Sequence, residues 1–148
     1  MPTVAIPFET TRYVREHCLC LAAQSAARTL ARLFDDSLRP VGLTSGQFSL
    51  LMSLNSPEPP TLGSLSSVLA MDRTTLTANL KPLERRGLVT AAVDPDDRRV
   101  RRLSLSKSGR ATLRAAVPIW RRTHAKVEAQ LGQPKGADAL RAGLRTLV

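Results

Sequence analysis

Six cationic side chains and three threonines define the chemistry open to this chain. Arg73, Thr74, Thr75, Thr77 and Lys81 fall within nine residues, and Arg98, Arg99, Arg101 and Arg102 crowd into five more. Guanidinium and ammonium groups suit phosphate oxygens or the acceptor edge of guanine. A threonine hydroxyl hydrogen-bonds a base edge or a phosphate, and its methyl meets the methyl of thymine. This set holds a nucleic acid and breaks no bond. There is no Gly-x-Ser-x-Gly elbow, glycine-rich phosphate loop or His-Glu-x-x-His pair, and no acidic pair stands in a catalytic context, so an enzyme is not expected. Aromatic residues make up 3% of the chain, too few for the stacking platform of a single-strand RNA reader, which leaves double-stranded DNA as the expected polymer. Cys18 and Cys20 are the only cysteines. On one continuous helix their side chains point about 200° apart and cannot bridge, so reduced thiols are expected. His17 and Cys20 do not complete the four-ligand set of a structural zinc site, and neither a metal nor a cofactor is expected.

Charge is distributed as this chemistry requires. The net charge is +10, with 22 basic and 12 acidic residues. Residues 1–60 hold five of each, residues 61–110 hold ten basic and five acidic, and residues 111–148 hold seven and two. The whole excess therefore lies beyond residue 60, and it favours a polyanionic partner. In the tail, Arg121, Arg122, Arg141 and Arg145 either add long-range attraction or form a solvated surface. A length of 148 residues fits a single domain. Residues 1–13 lack the basic start and apolar run of a secretory signal, and no stretch reaches membrane-spanning length. A cytoplasmic protein without membrane contact is expected.

The elements that must position these side chains follow from period and capping. Apolar residues from Leu19 through Leu30, Leu33, Phe34 and Leu38 recur at helical spacing, which predicts one long first helix over Val14 to Leu38, stopped by Pro40 and Gly42. Thr44 caps a second helix, and Gln47 completes its capping box. Asn55 to Pro60, with three prolines, forms a rigid loop. A short helix through Leu62, Leu65, Val68 and Leu69 ends in a turn near Met71, and Asp72 caps the next helix, which runs to about Arg86 with Gly87 as terminator. On that helix Leu76, Leu80 and Leu83 face the core, opposite the arginine and threonines. Leu88 to Val93 and Val100 to Leu105 read as strands around a turn-rich Asp94–Arg99 segment. Ser106 caps a further helix through Leu113, Val117, Trp120 and Leu131, with a bend at Pro118, and Leu140, Leu144 and Leu147 mark a last one. The fold class is mainly α with a small β-hairpin wing (α+β): a winged helix-turn-helix. Residues 57–105 form the DNA-binding lobe, and 12–56 with 106–148 form a long helical dimerisation region.

Three segments carry a resemblance. They are Gly42-Leu43-Thr44-x-x-Gln47-Phe48, Leu83-Glu84-Arg85-Arg86-Gly87-Leu88-Val89, and Asp94-Pro95-x-Asp97-Arg98-Arg99 with Leu103-x-Leu105-Ser106-x-x-Gly109. With them the chain resembles the multiple antibiotic resistance regulator (MarR) family over nearly its whole length. Pro82 departs from the pattern and predicts a mild kink past the base-reading turns. The resemblance implies that Asp97 steadies Arg99, the wing arginine that meets DNA, with Arg98 beside it. It also implies a homodimer that presents two recognition helices to a pseudo-palindromic operator as a repressor, released by a small, often aromatic effector. By the same resemblance His17, Gln24, Phe48 and Trp120 line the effector cleft, although Phe48 and Trp120 read equally as core and His17 as surface. Cys20 lies where the organic-hydroperoxide-sensing branch keeps its reactive cysteine, but Gln24 and Phe34 stand at the spacings of that branch's supporting tyrosines. Cys20 is thus either a peroxide-sensing thiol or a buried structural cysteine.

Overall fold

Leucine does most of the packing. Leu38, Leu50, Leu51, Leu65, Leu76 and Leu83 are the largest side chains wholly removed from solvent, and one cluster joins them to Phe48, Leu80, Leu88, Val89, Leu103, Leu105 and Leu113. Each such burial contributes about 1.5–3 kcal/mol. In the computed structural model, which describes residues 5–132 and 134–148, the elements are α1 (Phe8–His17), α2 (Leu19–Leu38), a 3-10 turn (Arg39–Val41), α3 (Ser45–Ser53), α4 (Leu62–Val68) and α5 (Arg73–Arg85). There follow β1 (Val89–Val93), β2 (Arg101–Leu105), α6 (Lys107–Gln130) and α7 (Lys135–Arg145). The molecule is mainly helical with one two-stranded antiparallel sheet, the class read from the sequence.

Local signals set most boundaries. Thr44 accepts from the Gln47 N–H while Gln47 Oε1 accepts from the Thr44 N–H, closing the capping box of α3. Asp72 and Ser106 cap α5 and α6 one way only, each side chain accepting from the N–H three residues on, at Thr75 and Gly109. Gly87 ends α5 at φ +69°, where a side chain would be strained. The hairpin pairs Val89 with Leu105 and Val93 with Arg101, and its buried face presents Val89, Leu103 and Leu105. The proline loop lies against its outer edge, since Thr61 bridges to Arg102 and the Leu103 N–H donates to the Pro60 carbonyl at 2.9 Å. Helix α5 runs unbroken through Pro82.

The first helix differs from expectation. Instead of one rod from Val14 there are two helices, α1 starting at Phe8, with Cys18 between them in an extended conformation (φ −73°, ψ 107°). Cys18 still donates its N–H to the Val14 carbonyl at 2.9 Å, and its Sγ accepts from the Leu21 N–H at 3.4 Å, so it serves as a weak cap for α2. No proline or glycine marks the break, and the apolar period from Leu19 onward is unaffected by it. Cys18 therefore lies outside the helix that carries Cys20, and the 200° separation derived for a shared helix does not apply.

One glycine couples the hairpin to α6. A Cβ at Gly109 would sit 2.0 Å from the Leu88 carbonyl oxygen, while the Ser106 hydroxyl donates to the Gly87 carbonyl at 2.6 Å and accepts from the Gly109 N–H at 2.9 Å. At Gly46, within α3, a Cβ would meet nothing within 4 Å. The two glycines should thus respond with opposite sign. Gly109→Ala is expected to cost about 2 kcal/mol through forced backbone displacement, whereas Gly46→Ala should be neutral or stabilising by up to about 1 kcal/mol. Urea denaturation midpoints measure both, and equal shifts would show that the Leu88 contact does not hold the junction.

Candidate nucleic-acid interface

At the amino end of α5 the Asp72 carboxylate accepts from the Thr75 N–H at 2.8 Å and from the Thr75 hydroxyl at 2.7 Å. These bonds, the backbone one foremost, hold the Asp72 carboxyl below its ordinary range. The Thr75 hydroxyl proton is therefore engaged in capping. Arg73, Thr74, Thr77 and Lys81 line one open groove together with Ala78 and Arg85. Leu76, Leu80 and Leu83 anchor the opposite stripe in the core.

The wing carries an acid at its base. Asp94, with only 7% of its side chain exposed, pairs with Arg102 Nε at 2.5 Å and accepts from the N–H groups of Asp96 (2.8 Å) and Asp97 (3.1 Å). Arg102 also donates to the Pro59 carbonyl at 2.9 Å. The Arg102 hydrogen bond, and after it the Asp96 N–H, lower the Asp94 pKa. Arg102 belongs by sequence to the wing's basic cluster, yet it is tied down to Asp94 and the proline loop on the face of β2 opposite Leu103 and Leu105. Its neighbour Arg101 is exposed and lines a second groove with Thr77, Lys81 and Glu84. Thr77 and Lys81 are common to both grooves, so the structure joins the Arg73–Lys81 face of α5 to the wing strand. At the tip Asp97 holds Arg99 from both carboxylate oxygens, at 3.2 Å to Nε and 3.3 Å to a terminal nitrogen, while the Arg99 side chain stays 91% exposed. The Arg99 side-chain bond and then its N–H lower the Asp97 pKa. Arg98 is exposed beside it.

Sequence reasoning missed Arg85 and Asp94. Arg85 lies four residues beyond Lys81 on the same face, a spacing that would have found it. Asp94 and Arg102 would have required pairing across the hairpin.

Phe48 and Trp120 come together elsewhere. Their rings stack with centroids 6.0 Å apart, Phe34 lies 6.4 Å from Trp120, and His124 stacks on its other neighbour side at 4.5 Å. Phe48, Met52, Leu69, Val117, Trp120 and Arg121 line an open cleft of about 420 Å³. His17 and Gln24 are not part of that lining. His17 ends α1, stacked on Tyr13 at 4.1 Å, and Gln24 lies on the exposed face of α2, where its amide donates to Cys20 Sγ at 3.4 Å. Cys20 is exposed on this chain rather than buried, because α2 covers little before its last turns.

Comparison with known proteins agrees with this geometry. A profile of the MarR family matches residues 43–100. The chain is 33% identical over 116 residues to the transcriptional repressor NicR of Pseudomonas putida, an alignment spanning 78% of this chain and 73% of NicR. Among solved structures it is similar to the Mycobacterium tuberculosis regulator MosR in complex with DNA (38% identity, TM-score 0.78, 86% of this chain and 93% of that one). It is also similar to the repressor CouR bound to a DNA duplex (31% identity, TM-score 0.82, 90% and 94%), a protein also solved with p-coumaroyl-CoA. The chain belongs to the MarR family of winged-helix, DNA-binding transcription regulators.

The acids of the interface carry a pH signature. A carboxyl whose folded pKa is lowered binds fewer protons folded than unfolded. Its stabilisation is complete above the unfolded value, about 3.9, and is lost as pH falls through the lowered folded value. The thermal midpoint should therefore drop between about pH 4 and pH 2, and Asp94→Asn should show a smaller drop. At neutral pH the same variant should weaken duplex binding by releasing the wing, as measured by fluorescence anisotropy. A wild-type acid profile in Asp94→Asn would remove Asp94 from this role.

Proposed function

We propose that the protein is a homodimeric repressor that reads a pseudo-palindromic operator and is released by a small aromatic effector. The observation that carries the reading is the continuous cationic surface from Arg73 through Lys81 to Arg101, with Arg99 held outward on Asp97. In this reading the amino-terminal turns of α5 enter a major groove. Arg98 and Arg99 reach the phosphate rail or the minor groove alongside.

Dimerisation is supported by the apolar surface that the chain leaves uncovered. Of twenty residues in α2 only Leu38 is buried, and Leu19, Leu21, Leu30 and Leu33 stay exposed, as do Leu140 and Leu144 on α7. A two-fold partner is the simplest cover. Residues 12–56 and 106–148 then form the dimer scaffold and residues 57–105 the DNA-binding lobe. Two recognition helices spaced by about one helical turn of DNA would set the operator's symmetry. The effector's ring would occupy the cleft at Phe48 and Trp120, as the CouR complex with p-coumaroyl-CoA suggests. It would act by favouring one spacing of the recognition helices over the other.

A second reading rests on Cys20. Its thiol is exposed in the first turn of α2 beside the Gln24 amide, open to an organic hydroperoxide. The thiolate would attack the peroxide, giving a sulfenic acid and an alcohol.

Arg99→Ala should weaken binding to every duplex and reduce the slope of log affinity against log salt by about 1. An unchanged slope in a salt titration would defeat the wing assignment. Cumene hydroperoxide should dissociate the wild-type protein from DNA but not Cys20→Ser if the thiol is the sensor. Equal dissociation of both proteins, or none from either, removes the thiol reading and leaves the effector cleft as the switch.

A further inference from the structure

The outer face of α6 carries Arg110, Arg114 and Arg121, all exposed. None of them has a carboxylate within 4 Å among the described residues. Steps of four and seven residues bring the three to one side of the helix, along about 16 Å of its axis. With Met52, Asn55 and Val117 they line a groove of about 370 Å³. Met52, Val117 and Arg121 also line the aromatic cleft, so the two volumes adjoin. An apolar, ring-lined pocket thus continues into a channel whose cations lack counter-charges. Like charges four residues apart on a helix repel, and that repulsion is relieved when an anion binds between them.

We infer that this groove is the anion-binding half of a two-part ligand site, taking an aromatic compound with several phosphate or carboxylate groups in line. The inference rests on the effector reading and deepens it. The ring packs against Phe48 and Trp120, where apolar contact and stacking favour a flat group. The anionic groups follow α6 past Arg121 to Arg114 and Arg110, where guanidinium forks bind phosphate in bidentate fashion. A simple aromatic acid reaches only Arg121, which borders both compartments. The length of the arginine row selects for a tail longer than one carboxylate.

Trp120 is the only tryptophan, so its emission reports the cleft directly. The full chain is titrated with benzoate, with inorganic pyrophosphate and with benzoyl-coenzyme A, following Trp120 fluorescence and heat. Benzoyl-coenzyme A is expected to bind at least about tenfold more tightly than either fragment, because it engages both compartments at once. Arg110→Gln with Arg114→Gln should abolish that advantage and leave benzoate binding unchanged. Equal affinities for benzoate and benzoyl-coenzyme A in the wild type would overturn the groove, as would a double variant that binds benzoyl-coenzyme A like wild type. The effector reading is tested separately by adding benzoyl-coenzyme A to a protein–duplex complex. Arginine-dependent binding that leaves DNA affinity untouched sustains the groove and refutes only the release mechanism.

Discussion

Everything at the interface depends on holding many cations close together with few anions. Helix α5 and β2 bring Arg73, Lys81 and Arg101 into adjoining grooves while Arg98 and Arg99 crowd the wing tip, and concentrated like charge on a thin hairpin opposes its own folding. Asp94 offsets this from beneath. Its carboxylate closes the turn through two backbone N–H groups and, through Arg102, fastens the second strand to the proline loop. Asp97 works at the tip, where it fixes the direction of Arg99 without covering it. The two acids differ in consequence. Asp94 settles where the wing stands, and Asp97 settles where one side chain on it points.

A second constraint comes from the helices at the other end of the molecule. Helix α2 is anchored at Phe34 and Leu38 and leaves Leu19, Leu21, Leu30 and Leu33 in water, and α7 leaves Leu140 and Leu144 exposed. An isolated chain of this shape loses the stabilisation of about 25 cal/mol for every Å² of apolar surface left uncovered. The winged part packs into the same cluster as α3 and α6, with Leu65, Leu76, Leu80, Leu83, Leu103 and Leu105 joined to Phe48, Leu51 and Leu113. The uncovered leucines of α2 and α7 lie outside that cluster.

Legibility in the sequence followed the range of the interactions. The caps at Thr44, Asp72 and Ser106, the left-handed Gly87 and the buried stripe of α5 are set within three to seven residues, and each was readable. The hairpin's boundaries fell within a residue of expectation for the same reason. The break at Cys18 was not readable, since a single extended residue with a sulfur cap leaves the hydrophobic period intact. The separation of Arg102 from Arg101 was available in principle. Successive strand residues point to opposite faces, so Arg101 and Arg102 cannot both serve the same surface. The grouping of Phe48 with Trp120, and the separation of His17 and Gln24 from them, required the crossing of α3 and α6. That crossing is a tertiary fact with no local signature.

The cleft and α5 are joined by one short turn. Leu69, which lines the cleft, is the last residue before a turn in which Ala70 adopts φ +49°, an uncommon value for alanine, and Asp72 caps α5 two residues later. A ligand packed against Leu69 thus touches the segment that sets the direction of α5. On its other side Trp120 stacks on His124, which lies 3.8 Å from Glu128, and Glu128 accepts from Arg141 of α7 at 2.9 Å. The cleft therefore borders both the turn that precedes α5 and the chain of contacts that leads to α7. A ligand bound there would change the molecule's behaviour only to the extent that it preferred one arrangement of that turn and of α7 over another, since a ligand redistributes states only by its preference between them.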